Sequence, residues 1–89
     1  MNRPELTAEN VNAAVLDLQL HLRDVENRKG PRAFVSSHEA LGVLEDERSE
    51  LVHEIQSKAG ANAIRHELLD IAVAALWSVA SMDAGAMDW

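Results

Sequence analysis

The sequence has no cysteine and no tyrosine, and its 89 residues include only two prolines, two tryptophans and one phenylalanine. The lack of cysteine excludes disulfide bonds. So few aromatic residues predict an aliphatic core, and so few prolines favour helices. No apolar run reaches membrane-spanning length, and the first residues lack the apolar segment of a signal peptide. We therefore expect a cytoplasmic protein with no membrane partner.

Basic residues are also scarce. Lysine and arginine number 8 against 15 aspartates and glutamates, which gives a formal net charge of -7. A protein that binds a nucleic acid polymer needs basic side chains to displace the counterions of the phosphate backbone. We therefore expect no nucleic acid partner, although a nucleotide held through a metal ion remains compatible with this charge.

The hydrophobic pattern predicts an all-α fold with a single domain over residues 1–89. Thr7 and Ser36 have the character of N-caps, and Gly30 and Gly60 that of helix ends. The predicted helices span about residues 8–28, 37–58 and 62–82. Residues 83–89 lose the helical period and are expected to form a frayed tail, unless Trp89 docks on a neighbouring subunit.

The first predicted helix carries two apolar stripes. One contains Val11, Val15, Leu18, Leu22 and Val25, and a weaker one contains Ala13, Leu16 and Leu20. A three-helix chain of this size rarely covers two stripes by itself. We therefore expect a helical bundle completed by oligomerisation, as a homodimer or homotetramer. The alternative is one wide apolar face within the core of a single chain.

Two pairs of acidic residues are the main chemical feature. Glu47 and Glu50 lie three residues apart in the second predicted helix, and Glu67 and Asp70 do so in the third. At about 100° per residue, both members of a pair lie near one face of their helix. A tight connection at Gly60 makes the two helices a hairpin, so the four carboxylates are expected to converge.

Such a cluster predicts a bound cation. Like charges repel, and isolated carboxylates are costly to bury, so a divalent cation is the natural neutraliser. The alternative is a solvated acidic face with basic partners: Arg48, Lys58 and Arg65.

The Glu-x-x-Glu and Glu-x-x-Asp pairs, with their apolar flanks and hairpin spacing, resemble the MazG-like all-α nucleoside triphosphate pyrophosphatases. Residues 34–55 look like the first metal-binding helix of that family, and residues 67–72 are similar to the second. The resemblance covers roughly residues 34–80, about half of the chain. Three features depart from the family: Asp46 stands where a glutamate is usual, clear substrate-binding residues are lacking, and the fourth helix of longer relatives is missing.

The resemblance implies a Mg²⁺-dependent hydrolase that cleaves a (d)NTP to a (d)NMP and pyrophosphate. Glu47, Glu50, Glu67 and Asp70 match the metal ligands of the family, with Mn²⁺ a possible substitute for Mg²⁺. A carboxylate not fully committed to metal can accept the proton of the attacking water, and Glu47 and Glu50 are both candidates for this catalytic role.

Residues for binding substrate are less clear in the sequence. Phe34, His38, Lys58 and Arg65 are the candidates, with Arg32 as a further basic group, and Trp77 is expected in the core or at an interface. The histidines lack the spacing of transition-metal ligands, which disfavours zinc. The alternative function is a non-enzymatic MazG-like oligomer that uses its acids for metal-dependent stability or partner binding.

Overall fold

In a computed structural model, which describes residues 2–88, the chain folds into three α-helices with no β-strand among those residues. The helices are α1 (Ala8–Lys29), α2 (Ser37–Gln56) and α3 (Ala61–Asp83). The prediction of an all-α three-helix chain is confirmed. None of the three helices combines the length and the apolar character needed to cross a lipid bilayer.

Side-chain caps fix where the first two helices begin. The Thr7 hydroxyl accepts a hydrogen bond from the Asn10 backbone N–H at 3.1 Å, and the Asn10 side chain accepts one from the Thr7 backbone N–H at 3.1 Å. The Ser36 hydroxyl accepts from the Glu39 backbone N–H at 3.0 Å. These contacts satisfy amides that have no partner within the helix, as expected for Thr7 and Ser36 as N-caps.

The end of α2 differs from the prediction. The helix ends at Gln56 rather than near Lys58, because Lys58 itself adopts a left-handed conformation with φ of 56°. The Lys58 N–H bonds to the Ile55 carbonyl and the Ala59 N–H to the Glu54 carbonyl, which is a Schellman arrangement. Gly60 does not end α2 but forms the N-cap of α3.

The third helix is the centre of the fold. Both α1 and α2 pack on α3, and within residues 2–88 the backbones of α1 and α2 do not approach each other closely. The buried apolar side chains are small: Ala40, Val73 and Ala74. No residue of α1 is fully buried. Several apolar side chains of α1 remain exposed: Val11, Val15, Leu16 and Leu20.

The segment that follows α3 is ordered by backbone hydrogen bonds, so the prediction of a frayed tail is wrong for residues 84–88. Gly85, with φ of 71°, ends the helix in a second Schellman arrangement. Asp88 then bridges to the connector between α1 and α2. Its carbonyl accepts from the Ser37 N–H at 2.9 Å, and its N–H donates to the Val35 carbonyl at 2.8 Å. The prediction for Trp89 lies outside the described residues.

Candidate metal centre and adjoining cleft

The hairpin of α2 and α3 brings the two acidic pairs together. One carboxylate oxygen from each of Glu47, Glu50, Glu67 and Asp70 lies within 4.8 Å of the others. The turn between Gln56 and Ala61 is short, so α3 folds back along α2 and the two pairs face each other. The convergence expected from the spacing is therefore present in the structure.

Burial divides the four acids into two groups. Glu50 is exposed, whereas Glu47, Glu67 and Asp70 are half-buried. Glu47 Oε2 and Glu67 Oε2 are each buried without a hydrogen-bond partner among residues 2–88. A buried carboxylate oxygen without a partner is costly, so these two atoms need either a proton or a cation.

The electrostatics of the cluster follow from this crowding. Burial raises the pKa of Glu67 to about 7, and its neighbours Glu50, Asp70 and Glu47 add to the increase. Burial also raises the pKa of Glu47, as do Asp70 and Glu50, against the opposing effect of Lys29. Without a cation the site therefore favours protonated carboxyl groups.

The donor set suits a hard divalent cation. It consists of carboxylate oxygens from two rigid helices, which are the ligands that Mg²⁺ and Mn²⁺ prefer. Such an ion also fits the two unpartnered oxygens of Glu47 and Glu67, because it would give each of them the partner that it lacks.

A cleft of about 270 Å³ adjoins the cluster and is bounded in part by Glu47 and Asp70. It lies between the end of α1, the connector, α2 and α3. Its walls carry two aromatic and two basic side chains: Phe34, Trp77, Lys29 and Arg32. Its remaining walls consist of the acidic Glu26, Gly30 and four aliphatic side chains: Val25, Val43, Val73 and Ala74.

Hydrogen bonds between α3 and the connector hold the aromatic residues of the cleft. Trp77 Nε1 donates to the Arg32 carbonyl at 2.8 Å. The Phe34 backbone N–H donates to Ser81 Oγ at 3.0 Å. Trp77 lines the cleft and also joins α3 to the connector, whereas the sequence favoured a core or interface role for it.

The predicted substrate residues separate in the structure. Phe34 lines the cleft, whereas His38, Lys58 and Arg65 are exposed and lie outside the cleft lining. Arg65 is instead paired with Asp17 of α1. Lys29 of the cleft was missed by the sequence analysis, because only the packing of α1 on α3 brings it near Glu47.

A second cluster shares Asp70 with the first. His21 Nε2 lies 2.5 Å from Asp70 Oδ1, and His66 Nε2 lies 3.6 Å from Asp70 Oδ2. The two imidazole rings meet edge to face with their centroids 4.9 Å apart. The sequence contained one signal, the four-residue separation of His66 and Asp70, but nothing in it indicated that α1 would add His21.

No protein-family model, curated protein or solved structure matches this chain.

Proposed function

We propose that the chain is a cytoplasmic, MazG-like, Mg²⁺-dependent nucleotide pyrophosphohydrolase that converts a (d)NTP to a (d)NMP and pyrophosphate. The observation that carries the proposal is the direct junction between the acidic cluster and the cleft. Glu47 and Asp70 belong to both, so a ligand in the cleft can place phosphate groups against the carboxylates and their cation.

The walls of the cleft match the two halves of a nucleotide. Phe34 and Trp77 offer apolar and aromatic surface for a base, and Lys29 and Arg32 offer positive charge for phosphates. The lining also contains three acidic residues, Glu26, Glu47 and Asp70, so it is not basic as a whole. Binding a triphosphate therefore needs the cation at the acidic cluster as well as the two basic side chains.

Each acid then has a role. Glu47, Glu67 and Asp70 would hold Mg²⁺ together with Glu50, and the bound ion would neutralise phosphate charge and make water a better nucleophile. Glu50 is the exposed member, so its carboxylate is the more accessible acceptor for the proton of the water that attacks phosphorus. Glu47 points to the cleft and would contribute mainly through the cation.

Association of subunits is part of the proposal. The exposed fractions of Leu16 and Leu20 are 56% and 62%, so much of the second apolar stripe of α1 remains uncovered. The cleft volume of about 270 Å³ also lies just under the range typical of small-molecule sites, about 300–1,000 Å³. A homodimer or homotetramer would bury the stripe and can enlarge or close the cleft.

The exposed stripe also supports the second candidate, a non-enzymatic helical oligomer in which the acids bind metal for stability. The two functions share the metal and the association, but only the enzyme needs the cleft. They are therefore distinguished by turnover and not by metal binding.

The deciding experiment is pyrophosphate release from a panel of NTPs and dNTPs with Mg²⁺. Wild type is compared with Glu50→Gln and with Glu45→Gln, an exposed acid of α2 outside the cluster. We expect Mg²⁺-dependent release that Glu50→Gln removes and Glu45→Gln retains. A folded protein that binds Mg²⁺ but releases no pyrophosphate from any nucleotide would overturn the enzyme and leave the oligomer.

A further inference from the structure

We propose that His21, His66 and Asp70 form a second metal site, suited to a borderline divalent cation such as Zn²⁺. The site lies between α1 and α3 and shares Asp70 with the acidic cluster. It goes beyond the proposed hydrolase and does not depend on it, because the three ligands and their test involve no nucleotide.

The geometry supplies three ligand atoms in one place. One nitrogen from each histidine and one oxygen of Asp70 lie within 4.8 Å of one another. The histidines approach different oxygens of the carboxylate, His21 at Oδ1 and His66 at Oδ2. A cation between them would face both imidazoles and the carboxylate at once.

The spacing of the histidines along the sequence disfavoured zinc, but the packing of α1 on α3 brings His21 beside His66, and the chemistry of the donors then selects the metal. Two imidazole nitrogens with one carboxylate oxygen are a common protein ligand set for Zn²⁺, with a fourth position left for water or another ligand. The four-oxygen cluster beside it suits a harder ion. The two sites therefore differ in the cation they prefer, although they share one residue.

The ligands need only a small movement. Zn²⁺ holds nitrogen and oxygen ligands at about 2.0–2.2 Å, so two of its ligands lie roughly 3–3.5 Å apart. The His66 to Asp70 distance of 3.6 Å is close to this separation. The His21 to Asp70 distance of 2.5 Å is a hydrogen bond that must lengthen as the cation replaces it.

The ion pairs of Asp70 among the described residues are with His21 and His66, and not with a lysine or arginine. Arg65, the nearest basic residue to His66 in the sequence, is paired with Asp17, one helical turn before His21. His21 has a side-chain exposure of 10% and is held in the interface of α1 with α3, whereas His66 has an exposure of 59% and opens the site to solvent. The site thus combines one fixed ligand with one accessible ligand.

The shared carboxylate predicts a pattern among variants that a single site cannot produce. Asp70→Asn should weaken the binding of both Mg²⁺ and Zn²⁺. His66→Gln should weaken Zn²⁺ alone, and Glu50→Gln should weaken Mg²⁺ alone. Because His66 is exposed, His66→Gln is not expected to disturb folding, and circular dichroism verifies this.

The experiment uses the whole chain without nucleotide. Calorimetry measures the binding of Zn²⁺, and visible absorption measures the binding of Co²⁺ in its place. Imidazole NMR resonances give a second readout in which His38 and His53, outside the cluster, serve as internal controls. We expect one equivalent of Zn²⁺ to shift the resonances of His21 and His66. We also expect His66→Gln to reduce Zn²⁺ affinity by about 10- to 100-fold or more, and His53→Gln to leave it unchanged.

The proposed site is overturned if Zn²⁺ shifts the resonances of neither His21 nor His66, or if His66→Gln binds Zn²⁺ with full affinity. The contact of His21 with Asp70 is then a hydrogen bond and no more. Failure of the hydrolase would instead appear as the absence of pyrophosphate release and would not change these signals.

Discussion

Ser81 Oγ accepts a hydrogen bond from the Phe34 backbone N–H at 3.0 Å and donates one to the Trp77 carbonyl at 2.7 Å. With only 3% of its surface exposed, Ser81 is the most deeply buried polar residue among those described. It joins α3 to the connector next to the cleft. The position of Phe34 therefore depends on one hydroxyl of α3.

Replacing Ser81 by alanine should be costly, because the Phe34 N–H, in a part-buried position, would lose its partner. We expect Ser81→Ala to lower the free energy of unfolding by about 1–3 kcal/mol. Equilibrium denaturation in urea measures this. Ser78→Ala is the matched control, since Ser78 Oγ donates only to the Ala74 carbonyl of its own helix. Equal losses in both variants would contradict a special role for Ser81.

The left-handed conformation of Lys58 offers a stabilising substitution. A side chain at this φ is strained, whereas glycine adopts it freely. After the extra backbone entropy of glycine in the unfolded chain is counted, Lys58→Gly should raise the free energy of unfolding by about 0.5–1 kcal/mol. Thermal unfolding checks the gain. Lys58→Ala keeps the Cβ atom and should show no such gain, so equal stabilisation by both would refute the explanation.

The raised pKa values of Glu67 and Glu47 predict that metal-free protein loses stability as the pH rises. The unfolded carboxyl has a pKa near 4.5 and folded Glu67 one of about 7, so the folded state binds the proton more tightly. The contribution of protonated Glu67 to the free energy of unfolding is therefore fully present below about pH 4.5 and is lost as the pH passes about 7.

After allowance for screening by water, we expect a loss of about 1 kcal/mol between pH 5 and pH 8, or about 4–8 °C in Tm. Thermal unfolding in EDTA at both pH values measures it. Glu67→Gln should flatten the dependence, and Glu45→Gln should not. An equally steep loss in Glu67→Gln would show that another group is responsible.

Lys29 should contribute to substrate binding through its charge at the edge of the cleft. If the hydrolase proposal holds, Lys29→Gln should raise KM by about tenfold, the effect of one lost charged contact of about 1.4 kcal/mol. Steady-state kinetics with the best nucleotide of the panel give the value. Arg28→Gln removes the same charge from the neighbouring residue, which pairs with Asp24 outside the cleft. A similar KM in the two variants would remove Lys29 from the site.

The exposed stripe of α1 should govern association. Leu20→Lys places a charge in that stripe, so we expect the mass measured by light scattering to fall towards that of a monomer at equal protein concentration. Gln19→Lys introduces the same charge at the adjacent position outside the stripe. An unchanged oligomer in Leu20→Lys would place the interface elsewhere.

The helices were predictable because their signals are local. Thr7 and Ser36 are capping residues whose partners lie three positions away, so the sequence contained the whole interaction. The end of α2 was not predictable in the same way. Glycine is the usual residue for a left-handed helix end, and here Lys58 adopts that conformation two residues before Gly60.

The acidic cluster was predictable and its surroundings were not, for one physical reason. Glu47, Glu50, Glu67 and Asp70 lie on two helices joined by a short turn, so spacing alone brings them together. His21 and Lys29 lie on α1, and the long connector leaves the direction of that helix open. The order of residues 84–88 was also missed, since the two hydrogen bonds of Asp88 involve backbone atoms and leave no pattern in the side chains.

The two backbone hydrogen bonds of Asp88 join parts of the chain that are far apart in the sequence. Val35 and Ser37 flank the start of α2, yet their backbone partner, Asp88, is separated from them by all of α2 and α3. During synthesis the connector leaves the ribosome long before Asp88 does, so this contact is a late and non-local one. The backbone bridge at the start of α2 can therefore form only after α2 and α3 have both been synthesised.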